Sequence, residues 1–405
     1  MKFEYRDYEL SNAIVDIAAG PFGSNLKVSC FTETGFPIID GANLKGITVT
    51  DNITKFVSED KARSLHRSIA KRRDIVVTIS GNVGQISYIP DNSQYAEYLC
   101  SQRQFRVTFD ESKIYVPYLV YYLHSVEGRS KILAFANQTG VPALSQPLKN
   151  FRKIKIDLPS LENQHKIADI LSTLDEKIAI NRAINDNLEQ QAQAFFQELF
   201  VDNADPEWAI GTINDLGAVV GGSTPSKAKP EYYTETGIAW ITPKDLSVNK
   251  SKFISHGEND ITELGLKNSS ATIMPEGTVL FSSRAPIGYI AVAAGEVTTN
   301  QGFKSIVPKP EIGTAFVYYF LKHNLPIIEG MASGSTFKEV SGSTMKGVPA
   351  VIPDTDTIAR FNDFCSPIFA QQRILEEQNH SLAALRDNLL PKLMSGEVDV
   401  SDIQL

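Results

Sequence analysis

Apolar side chains recur in alternating steps of four and three residues along two long stretches of the chain. The first stretch consists of Ile167, Leu171, Leu174, Ile178, Asn181, Asn185, Leu188, Ala192, Phe195 and Leu199. The second is less regular and consists of Phe361, Cys365, Ile368, Gln372, Leu375, Asn379, Leu382, Arg386, Leu389 and Leu393. This heptad spacing, kept over more than four repeats, predicts two long helices that each bury one seam.

The partner of each seam also follows from the pattern. Because both helices have a complementary seam in the same chain, we expect them to pair with each other. The duplication of the chain favours an antiparallel arrangement of the two helices. The alternative is that each helix packs only on its own globular segment. Asn185 and Asn379 share one heptad position, where a buried Asn costs stability but fixes the register. Pro367 and Pro391 are expected to start, kink or end a helix.

Shorter apolar runs predict two globular segments of mixed α/β type. In the first segment, runs at 37–40, 74–79 and 105–109 are separated by turn residues, and 118–123 predicts a short helix. The second segment repeats this order at 237–242, 277–283, 303–307 and 316–321. The offset between copies drifts in these blocks, as expected where loops take insertions and deletions.

The chain therefore contains an internal repeat. Residues 139–159 and 333–353 align at a constant offset of 194, which continues into the heptad seams. The predicted fold class is α+β: two mixed α/β domains separated by two long helices that form an antiparallel coiled coil. A spacer of about 40 residues makes a rod of roughly 60 Å, which would hold the domains at a fixed separation. The predicted globular domains are 1–158 and 202–352, and the predicted spacers are 159–201 and 353–405.

Composition bounds the class of protein. The 405-residue chain is 42% hydrophobic and 21% charged, which is ordinary for a globular protein. No apolar run approaches the roughly 18 residues of a membrane span, and the N-terminus lacks the apolar core of a secretory signal. Cys30, Cys100 and Cys365 have no zinc-type spacing, so we expect no bound metal and a cytoplasmic location.

The charge is unevenly distributed. The net charge of −8 disfavours nucleic acid, but residues 1–158 carry +4 and the acidic excess is strongest in the spacers. Residues 201–352 carry −3, so this segment could contact DNA only through locally clustered lysines.

Motifs of catalysis are missing from the sequence. It contains no Gly-x-Gly-x-x-Gly, no P-loop, no Gly-x-Ser-x-Gly elbow and no Asn/Asp-Pro-Pro-aromatic motif of amino-methyltransferases. Asp91 and Glu97 resemble part of a nuclease carboxylate cluster, but Leu99 stands where such a site needs a Lys. The six His residues are dispersed. We therefore expect no catalytic residue in this chain.

Two glycine-containing loops have the composition of phosphate-binding loops, since glycine exposes backbone N–H groups and hydroxyls and Lys lie nearby. The alternative is a plain surface turn. The candidates in the first loop are Gly20, Phe22, Gly23, Ser24 and Lys27. Those in the second loop are Ser223, Thr224, Ser226, Lys227 and Lys229.

Asn82 and Arg284 lie at the tips of loops that follow equivalent strands. Asn can pair bidentately with adenine and Arg with guanine, so both are candidates for base readout. Because the two tips differ, two different half-sites are expected.

Further polar candidates lie elsewhere in both segments. Gln102 and Arg103 open a strand of the first segment and align with Asn300 and Gln301 of the second, with a structural role as the alternative. A basic stretch suits contacts to a nucleic-acid backbone, with a solvated helix face as the alternative. Its candidates are Arg63, Arg67, Lys71 and Arg72.

Three sets of residues resemble a known family. Residues 158–178, with Glu162-Asn163-Gln164-His165-Lys166-Ile167-Ala168 at their centre, resemble the central conserved region of Type I restriction–modification specificity subunits. Residues 389–398 look like their C-terminal conserved end, and the loops at 20–24 and 222–226 are similar to those that open their target recognition domains. The resemblance covers essentially the whole chain.

The resemblance implies a non-catalytic subunit that reads double-stranded DNA. Each target recognition domain would read one half of a split site, and the coiled coil would set the gap. The coiled coil would also dock two modification subunits, and restriction subunits could join them. The chain itself would hold no cofactor, because S-adenosylmethionine, ATP and Mg²⁺ would bind to the partners.

The alternative from a different class is a protein–protein scaffold whose main activity is the coiled coil. The acidic second half of the chain favours it slightly. A methyltransferase-fused enzyme ranks third, because no cofactor motif is present. Salt-dependent DNA binding would separate the first two, since phosphate contacts weaken steeply with salt.

Overall fold

The computed structural model describes residues 5–137, 142–334 and 338–400. The first residues of the repeat, Thr139 to Val141, lie outside these ranges, as do residues 335–337 of its second copy. The chain divides into two compact units. Unit 1 is the described part of 1–177 and 382–405, and unit 2 is 178–381, again within the described ranges.

Unit 1 contains short strands and helices ahead of one long helix. Its strands are β1 Arg6–Glu9, β2 Ile14–Ala19, β3 Phe31–Thr32, β4 Phe36–Ile39, β5 Phe56–Val57, β6 Ile69–Lys71, β7 Ile75–Thr78, β8 Ile86–Tyr88, β9 Glu97–Cys100, β10 Gln104–Phe109, β11 Ala136–Asn137, β12 Ala143–Leu144 and β13 Lys155–Leu158. Its short helices are α1 Glu59–Ser64, α2 Val116–His124, α3 Val126–Leu133 and α4 Pro147–Arg152.

Two sheets form the body of unit 1. One runs in the order β2-β10-β7-β8 and is antiparallel, and the other runs β3-β5-β4-β9-β6 with β4 and β9 parallel. β7 reads Ile-Val-Val-Thr and is buried along its whole length, as expected for a central strand of β-branched residues. The pairing of β1 with β13 brings the start and the end of this segment together.

Unit 2 repeats the plan. Its strands are β14 Ala209–Thr212, β15 Gly217–Gly221, β16 Tyr233–Thr234, β17 Trp240–Ile241, β18 Phe253–Ile254, β19 Asp260–Ile261, β20 Val279–Ser283, β21 Ile287–Ala293, β22 Thr298–Thr299, β23 Lys304–Pro308 and β24 Pro349–Ile352. Its short helices are α6 Ile213–Leu216, α7 Pro243–Val248, α8 Glu263–Lys267, α9 Thr314–His323, α10 Leu325–Gly330 and α11 Gly342–Lys346. The main sheet runs β15-β23-β20-β21-β18, and β14 pairs with β24 as β1 pairs with β13.

The helices predicted at 118–123 and 316–321 are confirmed as α2 and α9. Both helices are apolar along most of their length and are buried in the core of their unit. The strands predicted at 37–40, 74–79 and 105–109 are confirmed as β4, β7 and β10. Those predicted in the second segment are confirmed as β17, β20 and β23.

The two heptad stretches form α5 Leu161–Gln197 and α12 Thr355–Met394. Ser160 precedes α5, and its hydroxyl accepts from the backbone N–H of Asn163 at 3.3 Å. Asp354 precedes α12, and its carboxylate accepts from the N–H of Thr357 at 2.8 Å. These two side chains satisfy N–H groups that have no partner within the helix.

α5 and α12 pack antiparallel. Within unit 2, Asn181 contacts Asn379, Asn185 contacts Gln372, and the rings of Phe195 and Phe364 lie 4.5 Å apart, so rising positions on α5 meet falling positions on α12. The seam is buried at most of its positions. The helices also pack on the globular cores: Leu171 and Leu393 belong to the core of unit 1, and Ala192 and Phe361 to that of unit 2. Mutual pairing and packing on the globular parts therefore occur together.

The expectation that Pro367 starts or ends a helix is wrong. α12 runs without interruption through this position, and Pro391 lies within its last turn. A proline inside a helix removes one hydrogen bond and crowds the preceding turn. The flanking Cys365 and Ile368 are buried in the core of unit 2, and this packing keeps the helical course. None of the helices in the described ranges is long and apolar enough to cross a membrane.

Candidate nucleic-acid interface

The glycine loop of unit 1 lies directly on the turn that joins β9 to β10. The N–H of Gly20 donates to the carbonyl of Gln104 at 2.7 Å. A Cβ on Gly20 would lie 1.8 Å from the carbonyl oxygen of Ser101, which no side chain tolerates. Glycine is therefore required here by close approach of two backbone segments, and the loop is held in one place.

Unit 2 builds the same arrangement after β15. The N–H of Gly222 points at the carbonyl of Phe303 at 3.4 Å, and a Cβ on Gly222 would lie 1.9 Å from the carbonyl oxygen of Asn300. The N–H of Ser223 donates to Thr299 at 2.8 Å. Each unit thus presents a glycine loop seated on a polar turn, and we call each arrangement a loop–turn face.

Hydrogen bonds at the two loop–turn faces show that the sequence alignment of the two turns was wrong by one residue. The carbonyl of Arg103 accepts from Ile79, and the carbonyl of Gly302 accepts from Ser283, both at 2.7 Å. Arg103 therefore corresponds to Gly302 and not to Gln301. Gln102 corresponds to Gln301, so the same amide side chain occurs at the exposed tip of both turns.

The side chains of both glutamines lie close to the glycine loop of their unit. The carboxamide oxygen of Gln102 lies 2.6 Å from the Cβ position of Gly23, and that of Gln301 accepts from the hydroxyl of Thr224. The hydroxyl of Thr224 orients the amide of Gln301, whereas Gln102 only lies close to its loop, and both glutamine side chains are exposed.

Several other unit 1 candidates line two depressions on either side of Gln102 and Arg103, whereas Ser24 and Lys27 are exposed and line neither. One depression is lined by Gly20, Phe22, Gly23 and Arg67, together with the turn. The other is lined by Lys55, Gly81, Asn82 and the same turn. Phe22 is 82% exposed, which is unusual for a phenylalanine side chain. The structure thus brings the glycine loop, Arg67, Asn82, Gln102 and Arg103 onto one face.

The basic stretch splits apart. Arg63 lies in α1 and Arg67 in a 3-10 turn, while Lys71 ends β6 and Arg72 lies in the turn after it. The alternative of one solvated helix face is therefore wrong. Arg63 and Lys71 both pair with Glu97, at 2.6 and 3.7 Å, and Arg72 donates to the carbonyl of Ser93 at 3.0 Å. Only Arg67 of this stretch lines the loop–turn face.

Two cations that the sequence did not single out complete the face of unit 1. Lys45 and Arg129 line a third depression, which also includes Asn82 and His124. Both are exposed, and neither pairs with an acid within 5–137, 142–334 and 338–400. Burial lowers the pKa of His124 although its ring contacts the carbonyl of Ile86, so this ring is neutral at pH 7. Lys45 and Arg129 carry no local sequence signal, because only the fold brings them beside Asn82.

The cations of unit 2 are more strongly neutralised. Lys227 is exposed without an acid partner among the described residues, but Lys229 pairs with Glu231 at 3.6 Å. Arg284 and Lys304 both pair with Glu339, at 3.5 and 3.7 Å. Ser226 is exposed on the glycine loop. The structure also corrects the residue of unit 1 that is equivalent to Arg284. Arg284 forms a β-bridge with Glu339, and Ser80 forms the corresponding bridge with Ala143, so Arg284 is equivalent to Ser80 and not to Asn82.

The helix pair carries a polar centre. Asn181 is fully buried and donates to Asn379 at 3.0 Å, and the carbonyl of Asn185 accepts from the side chain of Gln372 at 3.2 Å. Asn185 and Asn379 thus both lie at the seam, but each meets a different partner across it. Asn181 and Gln372 are the buried members that the repeat did not single out.

Each unit is tied to α5 by a tyrosine and an acid. In unit 1, the hydroxyl of Tyr121 donates to Asp175 at 2.6 Å, and Arg386 pairs with the same carboxylate at 2.5 Å. In unit 2, Tyr319 donates to Glu189 at 2.8 Å, and Lys252 and Lys322 pair with it. Burial would raise the pKa of Glu189, but the two lysines outweigh it and hold this pKa at about 2.

Among the described residues, no group of three or more His, Cys, Asp or Glu side chains could hold a metal ion. Asp91 pairs with Arg73, and Glu97 pairs with Arg63 and Lys71, so the acids that resembled a nuclease cluster serve as ion-pair partners.

These features define a class: duplicated α/β units on an antiparallel helix pair, each unit with a polar loop–turn face. The family model described as the Type I restriction modification DNA specificity domain matches residues 23–190 and 206–382. The two matches cover most of the chain, which therefore belongs to this family.

Individual relatives agree with this assignment. The MjaIX specificity subunit of Methanocaldococcus jannaschii is 39% identical over 191 residues, which is 45% of this chain and 44% of that protein. The HindI specificity subunit of Haemophilus influenzae is 25% identical over 320 residues, covering 60% of this chain and 69% of that protein. The chain thus matches less than half the length of the first of these relatives.

A solved structure has the same fold. The crystal structure of the Type-I restriction-modification system S subunit from M. genitalium superposes with a TM-score of 0.61 at 18% identity, and the match covers 96% of both chains. At this identity the likeness concerns the fold alone.

Proposed function

We propose that this chain is the non-catalytic DNA-specificity subunit of a Type I restriction–modification complex. Each unit would read one half of a bipartite double-stranded site through its loop–turn face. The observation that carries the proposal is that Gly20 and Gly222 seat equivalent loops on equivalent turns, while the side chains around them differ. A shared scaffold with different polar side chains is what two half-sites of different sequence require.

The two faces would divide the work of recognition differently. In unit 1, Arg67, Lys45 and Arg129 are exposed cations without acid partners in the described ranges, and they suit phosphate contacts. Gln102, Arg103 and Asn82 would reach base edges. In unit 2, the candidates are Gln301 and Arg284 for bases and the glycine loop with Lys227 for phosphates.

The helix pair would set the gap between the half-sites and dock the partner subunits. Ile180 and Ile184 lie four residues apart on one face of α5 and are 54% and 41% exposed. Ile374, at the repeat position of Ile180 on α12, is 47% exposed. Exposed apolar side chains on a helix pair suit a protein partner. We infer that two modification subunits dock here, and that they bring S-adenosylmethionine, with restriction subunits adding ATP-driven steps.

The experiment that tests DNA recognition is a salt titration of the assembled complex on duplex DNA. We expect affinity to fall steeply with salt, with a slope of about −0.9 for each phosphate contact. A chain that served only as a protein scaffold would give no DNA binding at any salt concentration, and that result would contradict the proposal.

A further inference from the structure

One carboxylate lies between two cations at the loop–turn face of unit 2. Arg284 follows β20, and its backbone pairs antiparallel with Glu339. Residues directly opposite in such a pair point to the same face of the sheet. The guanidinium of Arg284 lies 3.5 Å from one oxygen of Glu339, and the ammonium of Lys304 lies 3.7 Å from the other. Glu339 thus forms ion pairs with both Arg284 and Lys304.

Unit 1 has no charge at the corresponding place. The N–H of Leu144 donates to the carbonyl of Ile79 at 2.8 Å, and the N–H of Val340 donates to that of Ser283 at 3.0 Å, so Leu144 and Val340 hold equivalent places in the two units. Glu339 therefore takes the position of Ala143, at an offset of 196, so the prediction of a constant offset of 194 is wrong for this part of the repeat. The carboxylate is therefore an addition specific to unit 2 and not a requirement of the fold.

The charged cluster adjoins the groups proposed to meet DNA. The N–H of Ser283 donates to Gly302, the residue after Gln301, and Lys304 reaches the carbonyl of Gln301 at 3.5 Å. The side chains of Arg284 and Glu339 are 38% and 39% exposed, so the cluster is open to solvent. A carboxylate in this place repels phosphate and reduces general attraction to DNA, so its presence needs another explanation.

We propose that Glu339 is a positioning residue that reserves Arg284 for a base. It engages one nitrogen of the guanidinium and leaves the other donors of the fork free for the O6 and N7 of a guanine. Its charge also keeps Arg284 and Lys304 from acting as general phosphate contacts. Glu339 thus lowers affinity for arbitrary DNA and raises discrimination at one base position. This inference rests on the proposed function.

The test is Glu339→Ala in the full chain, assembled with its modification subunits. Alanine is safe for folding because Ala143 occupies the same place in unit 1. The complex first selects from a randomised 30-base-pair duplex pool, and its affinity is then measured on a duplex with the selected site and on one without it, at several salt concentrations.

The variant should bind the duplex without the site more tightly, with a salt slope steeper by about 0.9 to 1.8 as two cations become available to phosphates. Discrimination should fall roughly 5- to 150-fold at one base position of one half-site. The other half-site should stay unchanged. Arg284→Lys should relax the same position, because lysine lacks the guanidinium fork.

Glu329→Ala is the matched control. Glu329 is an exposed acid that lines one depression together with Arg284 and Glu339, and it has no cation partner in the described part of the chain. The inference is overturned if this control relaxes the same position, if Glu339→Ala leaves the selected site unchanged, or if it weakens binding to every duplex. A wild-type complex that selects no sequence overturns the proposed function itself, and that outcome is recognised before any variant is measured.

Discussion

At the scale of single residues, the interface depends on two positions without a side chain. Gly20 and Gly222 each bring one backbone segment against another, and neither leaves room for a Cβ, which would lie only 1.8 and 1.9 Å from a carbonyl oxygen. That approach places the loop, the turn and the amide at the tip of the turn. The glycine is thus a structural condition for the polar side chains beside it.

Gly20→Ala should therefore displace the loop from the turn of unit 1. Overpacking of this kind costs about 1–3 kcal/mol, and we expect the melting temperature to fall and the first half-site to lose definition while the second is kept. Gly46→Ala is the control, because nothing lies within 4 Å of a Cβ there. Scanning calorimetry and site selection check both. Loss of both half-sites in Gly20→Ala would contradict the assignment of one face to one half-site.

How far the sequence predicted these residues depends on the range of the contact. The glycine loops could be found from local composition alone. The equivalence of Gln102 and Gln301 could not be predicted, because the loops of the two copies differ in length and the sequence alignment is shifted by one residue. The ion pairs of Arg63 and Lys71 could not be predicted either, since their partner Glu97 lies in a strand distant in sequence. Charges that pair across the fold are invisible to a pattern along the chain.

At the scale of elements, the sequence was most informative about the long helices. The heptad seam predicted α5 and α12 and their pairing, because a repeated apolar spacing has few other solutions. The prediction that Pro367 starts or ends a helix was wrong, because tertiary packing outweighed the loss of one hydrogen bond. The cluster around Glu189 was beyond the pattern, because it joins α5 to residues from other elements of unit 2. It is a polar contact between α5 and the globular part of unit 2, in addition to the apolar packing.

Glu189→Gln should destabilise unit 2 by about 3–5 kcal/mol at pH 7, because Lys252 would stay buried without its acid. The pKa of Glu189 is about 2 in the folded protein, below its ordinary 4.5. A lowered carboxyl pKa contributes stability above pH 4.5 that is lost as the pH falls towards 2. The variant should thus lose less stability than the wild type over that acid range.

Urea unfolding between pH 7 and pH 3 measures this difference. Glu377→Gln is the control, because Glu377 forms an exposed pair with Arg373 one helical turn away, and such pairs contribute about 0.5 kcal/mol or less. Equal effects of the two substitutions at pH 7 would contradict the role given to Glu189.

At the scale of the whole molecule, the chain combines two independently built faces with one helix pair that continues through both units. The duplicated design explains why the repeat is most faithful in the helices and least faithful in the loops. The helices keep a common role, whereas each face has its own chemistry. On this account the sequence read and the spacing between its halves are separate properties of separate parts.

Methylome sequencing of a host that carries this chain with its partner subunits tests that claim most directly. We predict two short, different half-sites separated by a fixed unspecified gap. One heptad added to each of α5 and α12 lengthens the pair by about 10 Å, and the gap should grow by about three base pairs with both half-sites kept. A continuous or palindromic methylated site, or a gap unchanged by the added heptads, would contradict the account.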